Sequence, residues 1–114
     1  MTERAIPPAG TMTDRVQLKR REMTGEDEGG HSVAFIPIAT VWARVRTISG
    51  RTGTDADGRV VSLSHAVVLR FRSDLKPGDR IHYRGRALDI VSFADVNGRR
   101  AYLSCLCHET AVTG

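Results

Sequence analysis

Lysine is nearly missing from this 114-residue chain: of its 17 Lys and Arg residues only Lys19 and Lys76 are lysines. Aromatic residues are scarce as well, at 5%. That leaves little of the stacking surface on which single-stranded nucleic-acid binders lay their bases. No apolar run approaches the roughly 18 residues a membrane helix needs. The opening Met1–Gly10 carries no apolar segment of signal-peptide type. These absences predict a cytosolic product with no membrane partner.

Catalytic signatures are missing too. There is no glycine-rich phosphate loop, no His-Glu-x-x-His and no nucleophile elbow. Most Asp residues fall in turns, where they bond to the backbone. Asp89 is the exception, inside a strand between Leu88 and Ile90, and is expected to pair across strands with Arg80 or Arg84. No enzyme activity, cofactor or metal is expected. Cys105 and Cys107 are the only cysteines. Two apart on one strand, they are badly placed for a disulfide with each other. His108 adjoins them, but a structural zinc site takes four ligands, commonly in two separated pairs. His31, His65 and His82 are scattered. Two small core thiols are the expectation.

What the chain has in quantity is arginine. Residues 31–108 hold twelve basic side chains against six Asp, while Glu22, Glu26, Asp27 and Glu28 gather the acids in one place. Arginine offers a planar fork that grips carboxylate or phosphate in two places and stacks on rings.

The apolar pattern repeats every second residue. It predicts strands over about 14–21, 38–48, 60–72, 80–84, 87–93 and 99–108, with turns at Lys76-Pro77-Gly78-Asp79, Gly85 and Asn97-Gly98. Six short strands imply a mainly β fold: a small antiparallel β-barrel or sandwich, with a long flexible loop and an extended N-terminal arm. The reading divides the chain into an arm over 1–13, one β domain over 14–110 and a tail over 111–114. Residues 22–36, polar, acidic and glycine-containing, read as the flexible loop. Residues 51–58 read as a loop or frayed turn, because Gly53 and Gly58 disfavour a helix.

Strand phase raises a question at Ala39-Thr-Val-Trp-Ala-Arg-Val-Arg-Thr-Ile48. Val41, Ala43 and Val45 share one face, and the only Trp, Trp42, shares the other with Arg44 and Arg46. Arg70 and Arg72, then His82 and Arg84, recur at the same phase and predict one basic face. Trp42 on such a face is either an interface anchor, a role in which Trp and Arg are enriched, or a core residue folded over a barrel end.

From about Gly10 to Glu109 the chain resembles the phage head–tail joining proteins, also called head closure or stopper proteins. The resemblance rests on Asp14–Arg21, on Ala39–Val45 with Ser49-Gly50-Arg51, on Phe35, His65 and Arg70-Phe-Arg72, on Asp79–Arg86, and on Leu88–Ile90 with Leu103–Glu109. Two departures stand out: that family is usually helical after the position of Arg51, and the first nine residues are an extension. The resemblance implies a neck component in the virion, made in the bacterial host cytoplasm. It would form a homo-oligomeric ring, of roughly six or twelve copies, between portal or adaptor proteins and the tail-terminator or tail proteins. The ring would close the DNA-filled head. Packaged double-stranded DNA would be met without sequence preference, since arginine on phosphate carries no base information. Arg44, Arg46, Arg70, Arg72 and Arg84 are the candidates for the DNA channel or subunit interface, Trp42 for the anchor, and Glu26, Asp27 and Glu28 for a docking loop. The alternatives are a free-standing nucleic-acid-binding barrel and a tail-completion protein one ring further down.

Overall fold

The computed structural model describes residues 12–25 and 31–110. Eight strands follow in chain order: β1 Asp14–Gly25, β2 His31–Thr47, β3 Thr52–Thr54, β4 Val60–Ser62, β5 His65–Arg70, β6 Arg80–Tyr83, β7 Arg86–Asp95 and β8 Tyr102–Thr110. A 3-10 turn, Val96–Gly98, links β7 to β8. Six strands form one antiparallel sheet in the order β1-β2-β5-β8-β7-β6. Its outer strands meet across three residue pairs, Gln17 with His82, Leu18 with Ile81 and Lys19 with Arg80, which close it into a small barrel.

Alternation builds the interior. Val16 and Leu18 of β1, Val67 and Leu69 of β5, Ile81 of β6, Leu88 and Ile90 of β7, and Leu103, Cys105 and Cys107 of β8 point inward and are buried. Burial pushes the Cys105 thiol up to about 12 and the Cys107 thiol well above its ordinary range. His108 lies on the other face, with its Nδ1 2.9 Å from the Ser62 carbonyl, so it does not converge with the two thiols. Inward side chains of this kind remove apolar area at about 25 cal/mol per Å².

Each predicted strand has a counterpart in the barrel, although 60–72 breaks in two, with Val60–Ser62 leaving for a second sheet and only His65–Arg70 joining the barrel. Three further regions need correcting. Residues 22–25 and 31–36 are strand, not loop: β1 and β2 stay paired from Asp14 with Ala43 out to Gly25 with His31. Backbone pairing carries this ribbon beyond the core, with a bulge opposite Leu18 and Lys19 where Pro37 lacks the N–H of a regular ladder. The docking-loop residues Glu26, Asp27 and Glu28 lie outside the described residues. Of residues 51–58, expected as a loop or frayed turn, Thr52–Thr54 are instead strand β3, paired with β4 in a second sheet, while Asp55–Gly58 do form the turn between them. Asp55 shapes that turn, since its Oδ1 accepts from the backbone N–H of Asp57 and of Arg59, both at 2.9 Å. The bond from Arg59 holds that carboxyl below its usual range. Gly53 lies against β7 so closely that a Cβ there would sit 2.9 Å from Val91 Cγ1. Lastly, Met12, assigned to the arm, is buried at the barrel edge.

Two carboxylates, one at a turn and one within β7, fix the chain around β6. Asp79, 3% exposed, accepts the Arg21 N–H at one oxygen and the Lys76 N–H at the other, each at 2.9 Å. Asp89 takes a forked contact from Arg80, at 2.7 and 3.3 Å, and the Thr110 hydroxyl at 2.6 Å. Of the two partners expected for Asp89, Arg80 is the one found.

Candidate interface: a tryptophan cleft and an arginine-lined barrel end

Trp42 stands opposite Arg15 in the β1–β2 ladder. The Arg15 guanidinium lies 4.8 Å from the indole centroid, within cation–π range. The Trp42 side of β2 faces outward while Ala43 is fully buried, and Trp42 remains 53% exposed. This rules out the core reading of Trp42. Arg15, which sequence reasoning missed, is its partner in place of Arg44 or Arg46. Finding it requires the register between two strands, which phase along one strand does not contain.

Beyond Ala43 and Leu69 the β2–β5 pairing ends, and a cleft of about 730 Å³ opens there. Met12, Thr13, Val41, Trp42, Leu69, Arg70, Phe71 and Arg72 line it. Arg72 makes two bonds to Asp74, at 3.0 and 2.8 Å. They hold the Asp74 carboxyl below its usual range and raise the guanidinium in turn. Arg100 reaches Phe71 from outside, at 6.0 Å from its centroid.

At the barrel end where β2 finishes and β5 begins is a second recess, of about 550 Å³, lined by Val45, Arg46, Thr47, His65, Tyr83, Arg84 and Arg86. Arg84 opens the β6–β7 turn in the left-handed region, at φ +49°, and stacks on Tyr83, 5.2 Å from its centroid. Arg86 approaches Glu109 at 3.7 Å. His65 forms the floor, buried, with its Nδ1 2.9 Å from Ser64 Oγ. Burial holds its imidazole below the usual range.

The single basic face expected from strand phase is therefore not what forms. In the closed order β5 lies across the barrel from β6, so Arg70 and Arg72 are separated from His82 and Arg84. Arg70 and Arg72 join Trp42 at the cleft. Arg46 joins Arg84 at the barrel end together with Arg86, which the sequence did not single out. Arg44, exposed opposite Val68, stands outside both linings. Among the described residues, no three His, Cys, Asp or Glu side chains gather to hold a metal ion.

A small closed barrel bearing an open aromatic cleft and a separate arginine recess is built to act through contacts on its surface. Comparison with known proteins gives that description a family. The model of the phage head completion proteins matches residues 7–110, and the chain belongs to that family. Its family makes it a structural protein of phage head completion. The match takes in Pro7 and Pro8, so the segment outside the family pattern is residues 1–6 and not the first nine. Among solved structures, a Shigella flexneri 2a protein determined in solution is 24% identical, with a TM-score of 0.66. The similarity spans 92% of this chain and 98% of that one. A chain of the native gene transfer agent virion is 21% identical, with a TM-score of 0.57, over 86% of this chain and 94% of that one. Both share the fold. No curated protein matches the sequence.

Proposed function

We propose that the protein is a ring-forming neck component between the portal or adaptor and the tail, closing the filled head and giving the tail its seat. The observation that carries this reading is the family match over residues 7–110. Two surface features support it. Among the described residues, the recess with Arg46, Arg84 and Arg86 has one carboxylate contact, at Glu109. Repeated around a ring, it would present guanidinium to DNA phosphate without reading sequence. Trp42, exposed beside Arg70 and Arg72, is the kind of residue that dominates contacts between subunits.

Particles assembled with Arg46, Arg84 and Arg86 all changed to Glu test the reading. Folded variant protein with leaking or tailless particles is the expected outcome. Full heads with normal tails would defeat it. A tight complex of the isolated protein with one preferred sequence, persisting at high salt, would favour the free-standing nucleic-acid barrel.

A further inference from the structure

His65 is a buried histidine with an unfinished set of hydrogen bonds. It is 4% exposed, and its Nδ1 lies 2.9 Å from Ser64 Oγ. Ser64 Oγ accepts the Glu109 backbone N–H at 2.8 Å and stands 3.4 Å from the Cys107 carbonyl. That carbonyl already accepts the Ser64 N–H at 2.8 Å, and 3.4 Å is long for a hydroxyl bond. The Ser64 hydroxyl therefore donates to Nδ1, which leaves the proton of the neutral imidazole on Nε2. Nε2 has no partner among the described residues, yet no fully enclosed side-chain nitrogen or oxygen among them goes unpaired. Nε2 is therefore open, and the opening that His65 lines is the recess of Arg46, Arg84 and Arg86. We propose that this recess is a phosphate site in which the His65 Nε2–H donates beside the three guanidinium groups, its ligand being a phosphodiester of the DNA backbone.

The surrounding charges favour an oxyanion. Among the described residues Arg46 and Arg84 make no ion pair, and Arg86 has only the 3.7 Å approach to Glu109. Asp14, the other acid close by, commits both oxygens inside the fold. One accepts the Val45 N–H at 2.9 Å and the other the Tyr83 hydroxyl at 3.3 Å. A guanidinium fork takes two oxygens of a phosphate, which leaves others for a single N–H donor. The groups facing His65 are Glu109 and Cys107 on β8, Arg86 at the start of β7, Arg46 on β2, and Tyr83 and Arg84 at the β6–β7 turn. In the free protein, burial holds its imidazole below the usual range, opposed by Glu109 and aided by the Arg86 charge. An anion against Nε2 favours the charged ring. Binding therefore takes up a proton, and affinity rises as pH falls between the bound and the free titration midpoints. The inference deepens the neck reading, on which the choice of DNA as the source of phosphate rests.

Nuclear magnetic resonance titration of the histidines in the free full-length chain tests the proposal. The two probes are sulfate, whose charge is constant near neutral pH, and a short DNA duplex without terminal phosphates. Each should raise the His65 midpoint by about one unit, equivalent to a tenfold tighter hold on the anion by the charged ring. His82, which feels Lys19 and Arg80 but lies outside the recess, should move less. Combining Arg46→Gln with Arg84→Gln should remove the effect in a folded chain. A His65 midpoint that neither probe moves overturns the proposal, and so does an equal rise at His82, the mark of a general field. A response to sulfate alone overturns DNA as the ligand in favour of a small free oxyanion. Ring nitrogen shifts of the neutral native chain give a reading that needs no variant: a proton on Nε2 is expected, and one on Nδ1 overturns the site. The neck reading is judged on particles and this one on the free chain, so either can fail alone.

Discussion

Arg80 and Arg84 are four residues apart and are used in opposite ways. Arg80 is bound on all sides: its fork grips Asp89, and its guanidinium lies 3.7 Å over the Phe35 ring. Phe35 sits on the ribbon that β1 and β2 extend beyond the core, so this one side chain ties the ribbon to β6 and β7. Arg84 has no hydrogen-bonded carboxylate among the described residues. It rests on its neighbour Tyr83, held outward by a backbone conformation that side chains other than glycine seldom adopt. A charge satisfied inside the fold serves the fold, whereas one held outward with some strain is available to something outside it.

The comparison breaks most visibly at Asp89. Asp89→Ala leaves the Arg80 guanidinium and the Thr110 hydroxyl without their shared acceptor and should cost about 2 kcal/mol. For a domain of this size that lowers the melting temperature by roughly 10 °C. A fall of only a degree or two by calorimetry would mean the pair is a loose surface contact. Acidification should have a smaller effect, centred on the arginine recess itself. Burial lowers the folded-state pKa of His65 below 6.5, so between that folded value and 6.5 the unfolded chain binds more protons than the native one. Stability therefore declines as pH falls through 6.5 and levels off below the folded value. His82, also lowered mainly by burial, adds in the same direction. A His65→Gln variant should lose part of that slope in urea titrations at pH 7 and pH 5. The smallest effect, of opposite sign, is expected for Arg84→Gly. Relieving the left-handed backbone should raise stability by up to about 1 kcal/mol. A measurable loss would show that the stacking on Tyr83 outweighs the strain.

The barrel strands were legible because burial enforces alternation: Val16 with Leu18, Val67 with Leu69, and Leu103 with Cys105 and Cys107 are apolar at every second place. The ribbon was not, because Glu22–Gly25 and Ser32–Ala34 are exposed whichever way they face, and nothing drives a pattern there. The hairpin of β3 and β4 escaped notice for another reason. Its strands are three residues long, and its seat depends on Gly53 meeting Val91, distant in sequence. At the candidate site, the outward phase of Trp42 and its neighbouring arginines was readable. Which arginines meet was not, since Arg15 reaches Trp42 through register, and Arg46 reaches Arg84 through a strand order that does not follow the chain.

Of the joints in the barrel, the one between β1 and β6 is held by three residue pairs, and β6 itself has four residues. In hydrogen-exchange terms this seam is the expected site of the lowest-energy partial opening, ahead of the β5–β8 and β7–β8 ladders. Each such opening bares two unpaired strand edges at once, β1 and β6. An exposed edge is a template for another strand, so the barrel carries along this seam a latent place for a foreign strand to add.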